Sequence, residues 1–311
     1  MTSTPRLGRR AALRALAAAA GAAALPGGFA AAQTQAAVMT RRIPSSGETI
    51  PAVGLGTWIT FNVGNDPVAR DSSAEVMRAF FAAGGRVIDS SPMYGSSQAT
   101  VGYGLARLGA PPRLFAADKV WTSSAGNGRA QIETSRERWG VPRLDLVQVH
   151  NLLAWEDHLP TLAEMKADGR IRYLGITTSE GRRHRAVEQL MREQTLDFVQ
   201  LTYNPVDREA ERRLLPLARE RGIAVLVNRP FQEGALTRGL ARHPLPAWAA
   251  EIGCTTWAQA ILKFILAHPD VTCAIPATTQ PAHARENMAA AADPLPDAAL
   301  RRRIAEHIAS L

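Results

Sequence analysis

Short apolar runs alternate along this chain with longer stretches in which apolar residues recur every three or four positions. The runs predict eight strands, at residues 52–55, 86–88, 114–117, 144–149, 173–176, 198–201, 224–227 and 271–275. The amphipathic stretches predict helices at 73–83, 97–108, 130–139, 155–167, 182–191, 207–219, 255–267 and 281–291, with one more near 297–310. Ahead of the first strand, residues 41–49 with Ser45-Ser46-Gly47 at their centre read as a hairpin. Strands that are apolar throughout and separated by helices belong to a parallel sheet covered on its outside. Eight such units closing on themselves make the α/β architecture of a (β/α)8 TIM barrel, here with a short N-terminal hairpin and an extra C-terminal helix. The competing open dinucleotide-binding sheet needs a glycine-rich turn that opens a helix. Gly54-Leu55-Gly56 lacks the third glycine, and no helix pattern starts there.

A barrel of this kind occupies about 250 residues, so residues 1–37 of the 311 are left over. That segment has no acidic residue, carries Arg6, Arg9, Arg10 and Arg14, passes through an alanine-rich stretch and ends in small residues at Ala30-Ala31-Ala32. It reads as a twin-arginine export signal, engaged by export machinery and removed, with the barrel spanning 38–311. Gly8 and Ala12 depart from the usual form of that motif. Gly21 and Pro26-Gly27-Gly28 interrupt the apolar stretch too often for a membrane-spanning helix of about 20 residues. The expectation is an exported, periplasmic protein without a stable membrane anchor.

Setting those four arginines aside lowers the formal charge of +8 by four, to an ordinary value for a soluble domain. The basic clusters at 182–185 and 301–303 have no interleaved aromatics, which argues against a nucleic-acid partner. Cys254 and Cys273 are the only cysteines, so there is neither a disulfide framework nor a metal-ligand spacing, and two separate buried thiols are expected.

Several polar residues fall where strands end, the face on which barrels of this type carry their chemistry. Asp89 closes the second strand, Tyr94 follows it, Lys119 closes the third, and His150 closes the fourth. The chain has only three lysines, so a lysine at 119 is notable in a protein that otherwise uses arginine. Together these residues can reduce a carbonyl. Hydride arrives from a nicotinamide while Tyr94 delivers a proton to the oxygen. A neighbouring ammonium lowers the phenol's pKa, Asp89 fixes that ammonium, and His150 orients the oxygen.

These fragments, with Pro51-Ala52-Val53-Gly54-Leu55-Gly56-Thr57-Trp58 and Asp145-Leu146-Val147-Gln148-Val149-His150-Asn151, resemble the aldo-keto reductases from Met39 to the C-terminus. The resemblance implies NADP(H), with NAD(H) as the other option, a small carbonyl substrate, and Tyr94 as proton donor. It implies cofactor contacts from Thr57 and Trp58 at the first strand, from Thr177 and Thr178 in place of the common Ser-Asn, and from Gln200 to the carboxamide. Asn228-Arg229-Pro230-Phe231 stands where many members place a stacking tyrosine, and Arg229 could meet the pyrophosphate. Thr278 and His283 occupy the 2′-phosphate region, where Ala277 replaces a lysine, and Glu286-Asn287 match the adenine-holding pair. Trp58 and Trp121 are the expected substrate-pocket aromatics. A barrel that binds cofactor as a sensor or auxiliary subunit is the alternative reading.

Overall fold

The chain divides into residues 1–35 and 36–311, and the computed structural model describes residue 1 together with residues 38–109, 111 and 113–311. The export-signal reading lies outside the described residues. Among them, no helix is long and apolar enough to cross a membrane.

The described residues hold ten strands: β1 (Thr40–Arg42), β2 (Thr49–Pro51), β3 (Leu55–Gly56), β4 (Val87–Asp89), β5 (Phe115–Val120), β6 (Leu144–Val149), β7 (Ile171–Thr177), β8 (Phe198–Thr202), β9 (Ala224–Asn228) and β10 (Cys273–Ala274). The last eight form one parallel sheet in chain order. Bridges from Val53 to Ala274 and from Gly56 to Ala277 join its two edges and close the (β/α)8 ring.

Because side chains alternate across a strand, one face of every strand points inward. Phe115, Tyr173 and Phe198 meet there as an aromatic cluster, with centroids 5.6–5.9 Å apart. Ile43 and Ile50, from the antiparallel β1–β2 hairpin, join the same cluster. The hairpin is tied to β7 by the Tyr173 hydroxyl, which donates to Glu48 at 2.7 Å, and by an ion pair between Glu48 and Arg172. Gly175 is the interior residue of β7 two positions on. A Cβ there would stand 2.5 Å from the carbonyl oxygen of Phe198, so the close approach of β8 excludes one.

The outer layer is α1 (Pro67–Ala82), α2 (Ser97–Leu108), α3 (Gly128–Trp139), α4 (Trp155–Ala167), α5 (His184–Glu193), α6 (Leu214–Arg221), α7 (Ala235–Leu240), α8 (Trp248–Glu251), α9 (Trp257–Leu266), α10 (Pro281–Ala289) and α11 (Ala298–Ala309). Helix α1 starts six residues before the hydrophobic period predicts. Asp66 caps it, accepting the N–H groups of Val68 and Ala69, and Pro67 takes the first helical position. The single helix predicted at 207–219 is instead a turn at Glu209–Glu211 followed by α6. Pro216, in the first turn of α6, has no N–H for a continuous helix and would crowd the carbonyl of Arg212. The short helices α7 and α8 fall in the long β9–α9 connection, where Pro244, Pro246 and Gly253 obscure any period. Cys254 and Cys273 are both buried free thiols.

Strand β5 runs three residues past the predicted end, because the buried polar pair Asp118-Lys119 interrupts the apolar run without interrupting the ladder. Asp118 points out of the barrel and accepts from Gln98 at 2.9 Å and from the Trp139 indole at 2.6 Å, linking β5 to α2 and α3. Burial lifts its carboxyl to about 6. The folded state therefore holds this proton above the unfolded range near 4, and the associated stability is lost as pH rises through about 6. Relative to Asp118→Asn, the wild type should lose up to about 3 kcal/mol between pH 4 and 7. Denaturant midpoints of both proteins across that range test this, and a pH-independent difference would contradict it.

Candidate active site

The interior polar residues sit at the C-terminal end of the ring, above the aromatic cluster. Asp89 on β4, Lys119 on β5, Gln148 on β6 and Gln200 on β8 are all inward-facing by strand register and almost fully buried. The Lys119 ammonium pairs with one oxygen of Asp89 and donates to the Ser90 carbonyl at 2.8 Å. The other Asp89 oxygen accepts from Gln200 at 2.9 Å and from Gln148 at 3.3 Å. Burial alone would lower the lysine pKa, but Asp89 and the neighbouring phenol outweigh it, and the net direction is upward. A fixed positive charge thus lies inside the barrel.

That charge stands 4.9 Å from the ring centroid of Tyr94. Tyr94 in turn packs edge-on against His150, at 5.7 Å between centroids, and tilted against Trp58, at 4.9 Å. The expected lowering of the phenol's pKa is not the net result. Burial raises it by more than Lys119 lowers it, with Asp89 adding to the rise. The phenol therefore keeps its proton, and Lys119 acts as the force favouring its release. His150 is driven the other way, down to about 2, first by burial and then by Lys119. It is a neutral imidazole across the working pH range.

Asp89, Tyr94 and His150 line a cavity of about 970 Å³, and Lys119 lies beneath them. The structure brings Thr57, Trp58, Thr177, Thr178, Gln200, Asn228, Arg229, Pro230 and Phe231 to its wall. Thr278, His283, Glu286 and Asn287 line the same cavity. Trp121 does not. Its N–H and carbonyl are both held by the Gln131 side chain at the start of α3, and the indole is exposed outside the wall.

Several wall residues are already engaged. Thr57 donates to the Asp89 carbonyl at 2.9 Å, Thr177 accepts the Asn151 N–H at 3.0 Å, and the Thr178 hydroxyl donates to the Arg182 carbonyl. Asn228 donates to the Thr178 carbonyl at 2.8 Å and accepts from Thr202 at 2.7 Å. Arg229, expected to meet phosphate, is paired with Glu180 at 3.2 Å and Glu233 at 2.5 Å, so its charge is compensated within the protein. Glu286 accepts from Thr256, and Thr278 accepts the Gln280 N–H at 3.0 Å with His283 at 3.5 Å. Gln148 is not among the residues expected from the sequence, although its inward position follows from its two-residue spacing before His150. Nor are Ser91, whose Oγ lies 2.8 Å from His150 Nδ1, and Asn151, whose buried Oδ1 has no partner among the described residues.

The family description Aldo/keto reductase matches residues 52–308. The chain belongs to the aldo/keto reductase family. Two relatives of this aldo/keto reductase come from Escherichia coli. Methylglyoxal reductase YeaE is 29% identical over 255 residues, covering 80% of this chain and 88% of the relative. The NADH-specific methylglyoxal reductase is 26% identical over 324 residues, covering 83% and 95%. An aldo/keto reductase from Klebsiella pneumoniae, solved in complex with NADP and acetate, is 25% identical with a TM-score of 0.71, covering 84% of this chain and 93% of that one.

Removing the ammonium strands a buried carboxylate, so Lys119→Met should destabilise this aldo/keto reductase by about 3–5 kcal/mol. Adding Asp89→Asn should recover part of that loss. Urea denaturation of the two variants measures both, and an undiminished midpoint for Lys119→Met would contradict the ion pair's role.

Proposed function

We propose that this chain reduces aldehydes and ketones with hydride from NADPH, with Tyr94 as the proton donor. The observation that carries the reading is the buried Lys119–Asp89 pair set 4.9 Å from the Tyr94 ring, at the base of a cavity that also receives His150. A nicotinamide dinucleotide bound in that cavity supplies the hydride. The residues present fit one: the cavity is continuous from Tyr94 to Asn287, and near its chemical end an unpartnered amide oxygen of Asn151 awaits a donor. Gln200 and Thr177 would hold the nicotinamide end, and Thr278, His283 and Asn287 the adenine end. NADP-bound K. pneumoniae aldo/keto reductase supports the phosphorylated cofactor, while the NADH-specific E. coli relative makes NADH the competing one.

As the carbonyl carbon is reduced, negative charge grows on its oxygen. A donor already in place at that oxygen needs no reorganisation when the charge appears. The Tyr94 hydroxyl transfers its proton there, leaving a phenolate that the Lys119 ammonium stabilises. Asp89 keeps that ammonium fixed, and His150 hydrogen-bonds the same oxygen. Trp58, packed against Tyr94 on the cavity wall, would give the substrate an apolar neighbour. The names of the two E. coli relatives make methylglyoxal the first substrate to try.

The proposal includes export. Arg9-Arg10 and the alanine-rich stretch support it, and the twin-arginine route carries proteins already folded, so the barrel can leave with its cofactor loaded. Replacing both arginines by lysine should retain the full chain in the cytoplasm on cell fractionation, and unchanged export would contradict the assignment.

Steady-state oxidation of NADPH against methylglyoxal and a panel of aldehydes tests the activity. Tyr94→Phe should lose at least about 100-fold in kcat/KM, with NADPH affinity by fluorescence titration nearly unchanged. Turnover that survives the substitution would remove Tyr94 as donor. Tight cofactor binding with no turnover in the wild type would mark a binding barrel instead.

A further inference from the structure

We propose that Ser91 is a positioning residue that holds the proton of His150 on Nε2, so that the imidazole presents an N–H to the carbonyl oxygen. The inference rests on the reductase reading for its catalytic consequence but on geometry for the assignment itself.

Ser91 follows β4 in the segment that joins Asp89 to Tyr94, and it is fully buried. Among the described residues its Oγ has two polar neighbours. One is the N–H of Met93 at 3.2 Å, which can only donate. The other is His150 Nδ1 at 2.8 Å. The hydroxyl proton therefore has one acceptor within reach, and that acceptor is Nδ1. If Nδ1 carried the proton, the Ser91 hydroxyl would be left buried with no acceptor, a loss comparable to a buried unsatisfied donor. Burial keeps the imidazole neutral, so it has a single N–H. With Nδ1 accepting, that N–H is on Nε2.

The consequence is directional. Nε2 has no protein partner among the described residues, and His150 lines the cavity. A neutral imidazole in this tautomer donates to a carbonyl oxygen. In the other tautomer it would set a lone pair against the oxygen's own and oppose the charge that grows there. The backbone of Ser91 is pinned from the other side as well, since its carbonyl accepts the N–H of Tyr94 at 3.0 Å. One six-residue segment thus carries Asp89, which holds the lysine, Ser91, which holds the histidine, and Tyr94, which donates the proton.

Histidine tautomers are read directly from long-range 1H–15N correlations on 15N-histidine-labelled protein, with His150 assigned by the signals lost in His150→Gln. The wild type should show the Nε2–H pattern without titration from pH 5 to 8. An Nδ1–H pattern would overturn the proposal outright, with no variant needed. In Ser91→Ala that pattern should broaden or shift toward a mixture, and kcat should fall about 10-fold while NADPH affinity and melting temperature stay near wild type. Ser91→Thr, which keeps the hydroxyl, should recover the tautomer and most of the kcat. An unchanged tautomer and kcat in folded Ser91→Ala would contradict the proposal. A wild type that shows the Nε2–H pattern, loses it in Ser91→Ala, and still turns over no carbonyl would support the tautomer assignment and sink the reductase reading alone.

Discussion

The ion pair between Lys119 and Asp89 is the constraint around which the upper half of the barrel is arranged. Two full charges have been taken out of water, and their mutual attraction offsets that desolvation only if the remaining hydrogen-bonding capacity is met. Gln148, Gln200 and the Ser90 carbonyl meet it, and each comes from a different part of the ring. The ring can supply them because parallel strands in register point equivalent residues inward at one level. Lys119 pairs with Gln148 across β5–β6, and Asp89 with Gly56 across β3–β4. Gly56 matters through its missing side chain: a Cβ there would stand 2.6 Å from the Ile275 carbonyl oxygen at the seam that closes the barrel.

The same burial acts on Tyr94 and His150 with opposite chemical effect. It holds the phenol protonated and the imidazole neutral, because in each case the charged form is the one that loses water. For reduction this is the useful combination. With Tyr94 as the proposed donor, the reaction would begin with its proton in place, and Lys119 would matter most at the moment the phenolate forms. Elsewhere along the cavity wall the picture changes. Arg229 is paired with two carboxylates and the Thr178 hydroxyl is committed to the backbone, while Arg183 and His283 line the same cavity.

Much of this was legible in the sequence, for identifiable reasons. The eight strands were found because buried strands are apolar throughout, and Asp89, Tyr94, Lys119 and His150 were singled out because they stand at or just after strand ends with distinctive spacing. Boundaries failed where chemistry overrides hydropathy: β5 continues through Asp118 and Lys119 because both are paired, and α1 begins at a cap and a proline rather than at its first apolar residue. Ser91 and Asn151 were not legible. Their importance comes from what lies opposite them in space, His150 and the open cavity, and a linear pattern carries no trace of that. The direction of the Tyr94 shift was misjudged for a related reason, since the ammonium is visible in the sequence and the depth of burial is not.

The most direct test of the account is the fate of hydrogen from the cofactor. With NADPH carrying deuterium at both hydrogen positions of C4 of the nicotinamide and an aldehyde as acceptor, the account predicts an alcohol labelled with a single deuterium on the former carbonyl carbon, formed in step with cofactor oxidation. Cofactor oxidation without label in the alcohol, or bound cofactor that no carbonyl oxidises, would contradict it.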